Sequence, residues 1–411
     1  MGFKKRVRFP GAVGAELAGR LELPHLEPRG MALLAHCFSC SKDAKALVRI
    51  ARALVEEGFA VFRFDFTGVG DSGGEFADTN FTTNVEDLVA AADYLRQEIR
   101  APEVLVGHSL GGAAVLAGAK RIPEARAVAT LAAPSDTRHL EHTLLHSAPE
   151  LAEAGEAELN LLGRPVRLRK QLLEDLAEVD LESAIAGLDL PLLILHSPQD
   201  QIVPVDHARR IYKAARHPKS FVALDGADHL LLDEKDDAQF VGRLLATWAG
   251  RYLEPVDVED RDLDGGEVLV ESRSSGFFNR ISAGMHTLVA DEPRSLGGTD
   301  AGPNPYDLLL ASLGACKSMT LRMYAERKQW PLEEVSVRLR HQRIHAKDCE
   351  ECQSTDGKID QIEVDLDLSG PLTEEQLERL AEISERCPVQ RTLVTETVVK
   401  SDRQTGEGGE G

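Results

Sequence analysis

Residues 104–112 read VLVGHSLGG, an apolar run of strand type that ends in Gly-His-Ser-Leu-Gly, and residues 113–121, AAVLAGAKR, continue with helical composition. A serine in G-x-S-x-G between a strand and a helix sits on a sharp turn that exposes its hydroxyl, and small residues two places to each side let the two backbone segments pass closely. Gly107 and Gly111 meet that need. The five residues alone also fit an ordinary structural turn. Their place directly after a strand and before a helix turns them into a candidate nucleophile site.

The surrounding chain alternates in the same way. Short apolar runs without polar alternation occur at MALLAHCF (31–38), AVFRFDF (60–66), AVATLAAP (127–134), PLLILHS (191–197) and SFVALDG (220–226). Amphipathic stretches lie among them: KALVRIARALVEEG (45–58), VEDLVAAADYLRQEI (85–99) and AQFVGRLLATWAGRYL (238–253). Strands of this kind are buried on both faces, so the pattern predicts an α/β fold with a doubly wound, mostly parallel sheet over residues 1–253. Residues 135–187, rich in Leu and Glu, predict a helical cap over the site; His139, His142 and His146 within them fit a solvated face better than a metal site.

A nucleophilic serine needs a base, and the base needs a carboxylate that fixes its tautomer and stabilises the imidazolium. On this fold the order along the chain is Ser, acid, His. Asp200 falls just beyond the strand at 191–197, and His229 lies in the loop after the strand at 220–226. Asp225 and Asp228 are rivals for the acid, but their strand end already supplies the histidine. His196, inside its strand, reads as a core histidine. The oxyanion needs two backbone N–H donors: Leu110, after the nucleophile, is the first, and Phe38 in the loop HCFSCSKD is the second, with Cys37 the alternative.

The acidic, proline-bearing stretch EPVDVEDRDLDGGE marks a linker at 254–266. Beyond it the rhythm changes. Strand-like segments (267–273 and 279–290) lead through GGTDAGPNP into a helix at 305–328, apolar around much of its circumference and expected to be buried. Strands at 334–345 and 358–368, a helix at 373–386 and a last strand, TLVTETVVK (392–400), complete an α+β domain over 267–400, followed by a disordered tail at 401–411.

The 411 residues carry a formal net charge of -21, which opposes nucleic-acid phosphates. No run of about 18 apolar residues predicts a membrane span. The opening MGFKKRVRFPGAVGAEL has no apolar stretch of signal-peptide type. Six cysteines are too sparse for a disulfide scaffold, and a cytoplasmic location is expected, with the thiols free or redox-active. Two of them, Cys316 in LASLGACKSM and Cys387 in SERCPVQRTL, fit either inert packing, the usual state of a cysteine on an apolar helix, or a peroxidatic and a resolving pair. His345, Cys349 and Cys352 in HAKDCEEC offer three of the four ligands of a zinc site, with free or redox-active thiols the default reading.

The strand-elbow-helix, the order Ser109, Asp200, His229 and the loop DFTGVGDSGG resemble the α/β-hydrolase superfamily over about residues 20–253. The resemblance departs at His36-Cys37, where many relatives have His-Gly, so the cysteine side chain bears on the acyl pocket. GPNPYDLLLASLGAC and CPVQRTL resemble the OsmC and organic hydroperoxide resistance family over about 265–400. That second resemblance implies an intertwined homodimer in which Cys316 attacks an organic hydroperoxide, Cys387 resolves the sulfenic acid, a dithiol returns the electrons, and an arginine, Arg280 or Arg294, holds the thiolate. The family's N-P-E glutamate is Tyr306 here, with Asp307 the nearest carboxylate. The expected protein is a carboxylesterase-type serine hydrolase that takes small-molecule esters and needs no cofactor, fused to an OsmC-like thiol module. Rival readings make that module a dimerisation domain only, or the whole chain a redox-controlled ligand-binding protein.

Overall fold

A computed structural model describes residues 3–25, 27–38, 40–161, 164–232, 235–254, 263, 265–272, 276–345 and 357–402. Most of the expected linker and tail, together with Cys349 and Cys352, lies outside the described residues. The chain divides into two compact units, Met1–Asp262 and Leu263–Gly411.

In the first unit, β1 (Lys4–Pro10), β2 (Glu16–Glu22), β3 (Met31–Ala35), β4 (Ala60–Phe64), β5 (Val104–His108), β6 (Ala127–Leu131), β9 (Leu192–His196) and β10 (Lys219–Ala223) form one sheet in the order β1-β2-β4-β3-β5-β6-β9-β10; β7 (Glu156–Leu161) and β8 (Arg164–Arg169) pair separately. The six strands from β4 to β10 are parallel, and β1 and β2 add an antiparallel edge. That edge is a strand pair the apolar pattern did not reveal, because KKRVRFP buries only Val7 and Phe9 among charged neighbours.

The period-two alternation of each central strand feeds two cores. Leu33, Phe62, Leu105, Val128 and Ile194 pack with α2 (Phe81–Glu98), α3 (Leu110–Gly118), α7 (Leu181–Ala186) and α8 (Asp206–Ala214) on one face. Leu34, Val61, Val106, Ala129 and Leu193 pack with α1 (Lys45–Glu56) and α9 (Lys235–Ala249) on the other. Both faces being covered is why these strands read as unbroken apolar runs. The chain runs from β3 out to β4, then crosses back over β3 to β5. Strand order therefore reverses between β3 and β5, and ligands of open α/β sheets bind outside the carboxyl ends of the strands at such a point.

The cap departs from the helical expectation. α4 (Arg138–Ser147), the single turn α5 (Glu150–Glu153) and α6 (Gln171–Glu178) enclose the antiparallel hairpin β7–β8. Alternation in ELNL and RPVRL is too short, and too rich in Glu and Arg, to stand out from the helical pattern around it. Leu144, Leu151, Leu168 and Leu176 join the cap to the core on the α2–α3 face.

The second unit holds the three-stranded antiparallel sheet β11 (Val268–Ser272), β12 (Asn279–Ala283) and β13 (His286–Ala290), the helix α10 (Pro305–Lys328), the hairpin β14 (Glu334–His345) and β15 (Lys358–Ser369), and the helices α11 (Glu374–Ser384) and α12 (Pro388–Val394). Asn304 caps α10 in a capping box with Asp307, with Pro305 in the first turn. Two expectations are corrected. The terminal strand at 392–400 is instead α12 followed by irregular chain: Cys387 caps a helix opened by Pro388, and residues 395–400 join no ladder among the described residues. Nor is α10 buried all round: Leu313, Lys317, Leu321 and Ala325 form one inward stripe, while Met319 and Met323 are 65% and 70% exposed.

Candidate active site

β5 ends at His108, and α3 begins at Leu110, so Ser109 alone makes the corner. Its φ of 54° and ψ of -120° lie in a region a side chain rarely adopts. The corner closes because no Cβ stands in the way. One added at Gly107 would strike the carbonyl of Gly111, and one at Gly111 would lie 2.5 Å from the carbonyl oxygens of Ala35 and His36. The Ser109 amide donates to the Leu131 carbonyl at 2.8 Å, which ties the corner to β6.

His229 Nε2 lies 3.1 Å from Ser109 Oγ, and its Nδ1 lies 2.7 Å from Asp200 Oδ2. The other Asp200 oxygen accepts the amides of Ile202 and Val203 at 2.8 and 2.9 Å. Burial raises the Asp200 carboxyl, but the hydrogen bonds from His229, Val203 and Ile202 outweigh it and hold the group below the ordinary carboxylate range. The acid thus stays ionised in a buried place. Asp225 is exposed, and Asp228 accepts the amides of Leu230 and Leu232 at 3.0 and 2.6 Å, shaping the turn that carries His229. His196 is fully buried and bonds the Val203 carbonyl at 2.7 Å. In the cap, His139 bonds the Ile202 carbonyl at 2.8 Å, and His142 and His146 are exposed.

The amide of Leu110 opens α3, where the first N–H groups of a helix have no intrahelical acceptor. Phe38 follows β3, its ring edge-on to Phe76 at 5.2 Å. Its loop is held by a cation the motif reading did not single out. Lys42 is buried; its amide donates to Asp65 Oδ1 at 2.6 Å, and its ammonium reaches Asp65 and Asp71 at 2.7 and 2.6 Å. DFTGVGDSGG is thereby tied to the loop after β3. Inside that loop Cys37 and Cys40 are joined by a disulfide, so of the two expected states, free or redox-active, they are not free thiols. The signal was a C-x2-C spacing, which suits a disulfide, a metal or a dithiol equally. A cavity of about 310 Å³ adjoins it, lined among others by His36, Cys40, His108 and Leu230.

In the second unit, Cys316 is half-buried and Cys387 is buried, and Cys387 Sγ accepts the Gln390 amide at 3.4 Å. Burial pushes the Cys387 thiol up, and Cys316 beside it adds to that; the Gln390 amide and the Lys317 ammonium pull it down without reversing the shift. Lys317 is fully buried and bonds the Ser384 carbonyl and Glu385, both at 3.2 Å. It was hidden in sequence as one lysine on an apolar helix. Arg294 is exposed in a 3-10 turn and Arg280 is half-buried in β12. Asp307 closes the cap of α10, nine residues or about 13 Å along the axis from Cys316. Tyr306 stacks on His341 at 4.1 Å. His345 is exposed at the end of β14.

A parallel sheet with a serine at its strand-to-helix corner and a histidine and a buried carboxylate in hydrogen-bonded sequence is the frame of an α/β hydrolase. The chain belongs to the alpha/beta hydrolase family, whose sequence model matches residues 32–243, and the OsmC-like protein model matches residues 298–402. The crystal structure of the esterase domain of a Rhodothermus marinus protein is 48% identical, with a TM-score of 0.51, covering 61% of this chain and 100% of that one. Monoacylglycerol lipase of Mycolicibacterium smegmatis is 24% identical over 232 residues, 49% of this chain and 81% of its own. The uncharacterized protein YfhR of Salmonella typhi is 28% identical over 180 residues, 43% of this chain; the chain spans only 57% of YfhR. The protein is therefore an α/β hydrolase with esterase and lipase homologues, joined to an OsmC-like domain. Among the described residues no helix is long and apolar enough to cross a membrane.

Burial around the site has a consequence for acid stability. Burial first, and then the charge of His229, push His108 down from 6.5 to about 4. The unfolded chain then binds this proton before the folded one does, so stability is complete above about pH 6.5 and falls as the pH drops toward 4. From pH 7.5 to pH 5, His108 alone costs about 2 kcal/mol. His36 and His196, also held down by burial, act in the same direction. Urea unfolding followed by Trp248 fluorescence in a Trp330→Phe background should show this loss, and His108→Gln should reduce it by about 2 kcal/mol; equal stability at the two pH values contradicts it.

Proposed function

We propose that the first unit is a serine hydrolase of carboxylesterase type, acting on esters of small to medium acyl chains. The reading rests on His229 standing between Ser109 at 3.1 Å and Asp200 at 2.7 Å. Ser109 Oγ attacks the ester carbonyl as His229 Nε2 takes its proton, and Asp200 accepts the Nδ1–H and stabilises the imidazolium. The oxyanion accepts hydrogen bonds from the Leu110 and Phe38 amides. Collapse expels the alcohol, which takes the proton back from His229, and water activated by the same histidine releases the acid. The esterase-domain relative supports the reaction class.

On a panel of chromogenic esters of graded acyl length, Ser109→Ala should lower kcat by about a thousandfold or more, and Asp200→Asn by about ten thousandfold, with the fold intact by circular dichroism. Turnover that survives in Ser109→Ala would remove Ser109 from the mechanism, and a natural chain that turns over no ester would favour the ligand-binding reading.

For the second unit the proposal is organic hydroperoxide reduction. The Cys316 thiolate attacks a peroxide oxygen, the O–O bond breaks, and the alcohol leaves with a proton while the sulfur becomes a sulfenic acid. Cys387 then attacks that sulfur, giving the Cys316–Cys387 disulfide and water, and a dithiol restores both thiols with two electrons and two protons. The influence of Cys316 on the Cys387 thiol supports this, and a raised thiol suits the resolving position of Cys387. The exposed Met319 and Met323 on α10 support a homodimer formed through this unit. Hydroperoxide-dependent dithiol consumption should vanish in Cys316→Ser; no consumption by the natural chain would leave the unit a dimerisation domain.

A further inference from the structure

The loop after β3 and the last residue of β5 bring together three groups that the hydrolase chemistry leaves unused. The ligand atoms of Cys37, Cys40 and His108 all lie within 4.8 Å of one another. Cys37 and Cys40 are bonded as a disulfide, with Cα atoms 5.1 Å apart. Reduction by a dithiol, which is itself oxidised to a disulfide, delivers two electrons and two protons and separates the sulfurs. Two thiolates on one tetrahedral zinc at 2.3 Å sit about 3.8 Å apart, a separation that two adjacent non-bonded sulfurs already approach.

The imidazole is prepared for the same role. His108 Nε2 donates to the His229 carbonyl at 2.8 Å, which fixes the proton on that nitrogen and leaves Nδ1 with its lone pair. A backbone carbonyl on the far ring nitrogen is the usual support of a metal-bound histidine. His36 lines the same cavity but offers no ligand: its Nδ1 bonds the Cys37 carbonyl at 2.7 Å, and its Nε2 accepts the Phe66 amide at 3.3 Å. The cavity of about 310 Å³ beside Cys40 and His108 has room for a fourth, exogenous ligand.

We propose that reduced Cys37 and Cys40, with His108, form a binding site for a soft divalent metal ion of zinc type, its fourth position open to water or a small ligand from the cavity. Each ion bound displaces the two thiol protons, and exchange with an oxidised dithiol (a disulfide), which takes up the two electrons and two protons, re-forms the Cys37–Cys40 bond and expels the ion. Ser109, Asp200 and His229 contribute no ligand, so the site does not depend on the hydrolase reading.

The chain has six cysteines, and replacing Cys316, Cys349, Cys352 and Cys387 by Ser leaves Cys37 and Cys40 as its only thiols. This full-length variant, reduced with a phosphine and freed of reductant without air, is titrated with Co²⁺. The expected result is a thiolate-to-cobalt charge-transfer band that saturates at one ion per chain and disappears on reoxidation. Adding His108→Gln should weaken the affinity at least about tenfold, the smallest loss seen for mere supporting residues. A reduced chain without the band, or a band indifferent to His108→Gln, overturns the proposal. Should the variants fail to fold, the natural chain decides by peptide mass spectrometry: zinc should shield Cys37 and Cys40 from iodoacetamide, and equal alkylation with and without zinc overturns it.

Discussion

The backbone crossing at Ser109 is the constraint on which the rest of the first unit depends. A residue held at positive φ at the end of a buried strand costs on the order of 1–3 kcal/mol, and it persists only because the surroundings leave the chain no other path. Here those surroundings are the close passage of Gly107 against Gly111, the packing of Gly111 on the carbonyls of Ala35 and His36, and the bond from the Ser109 amide to β6. The same contacts set the Ser109 hydroxyl at the start of α3 and press α3 against the end of β3. One steric fact therefore fixes where the hydroxyl stands between β5 and α3.

Charge around this corner is handled by pairing and by keeping histidines neutral. Asp200 remains ionised through its hydrogen bonds, whereas His36, His108 and His196 are pushed down by burial. His229 is thus left with an ionised carboxylate at Nδ1, the Ser109 hydroxyl at Nε2 and the uncharged His108 ring 5.2 Å away. The buried Lys42 with Asp65 and Asp71 locks the loop that follows β3. His108 serves as a strut as well, since its bond to the His229 carbonyl joins β5 to the histidine loop. Binding a metal at the far side of that ring would use the strut without moving it.

Much of this was legible in the sequence, for identifiable physical reasons. Central parallel strands are apolar on both faces and so announce themselves, and chain order on this fold constrains where an acid and a histidine can stand, which is why Asp200 and His229 were named beside Ser109. Elements at the margins were not legible. β1 and the β7–β8 hairpin alternate over short stretches among charged residues, and β2 is buried on both faces but interrupted by Gly19, Arg20 and Glu22. TLVTETVVK has strand composition, yet Pro388 after Cys387 starts a helix that runs into it. Apolar α10 reads as a buried helix because composition does not say which face a single chain covers. Lys42 and Lys317 were invisible for a different reason: their roles come from tertiary partners far along the chain.

The central claim is that Ser109 is made nucleophilic by His229. Labelling the full-length protein with a fluorophosphonate and mapping the adduct by peptide mass spectrometry tests it most directly. The account predicts stoichiometric modification of Ser109 alone, slowed at least about a thousandfold in His229→Ala. Labelling at another serine, or an equal rate in that variant, would contradict it.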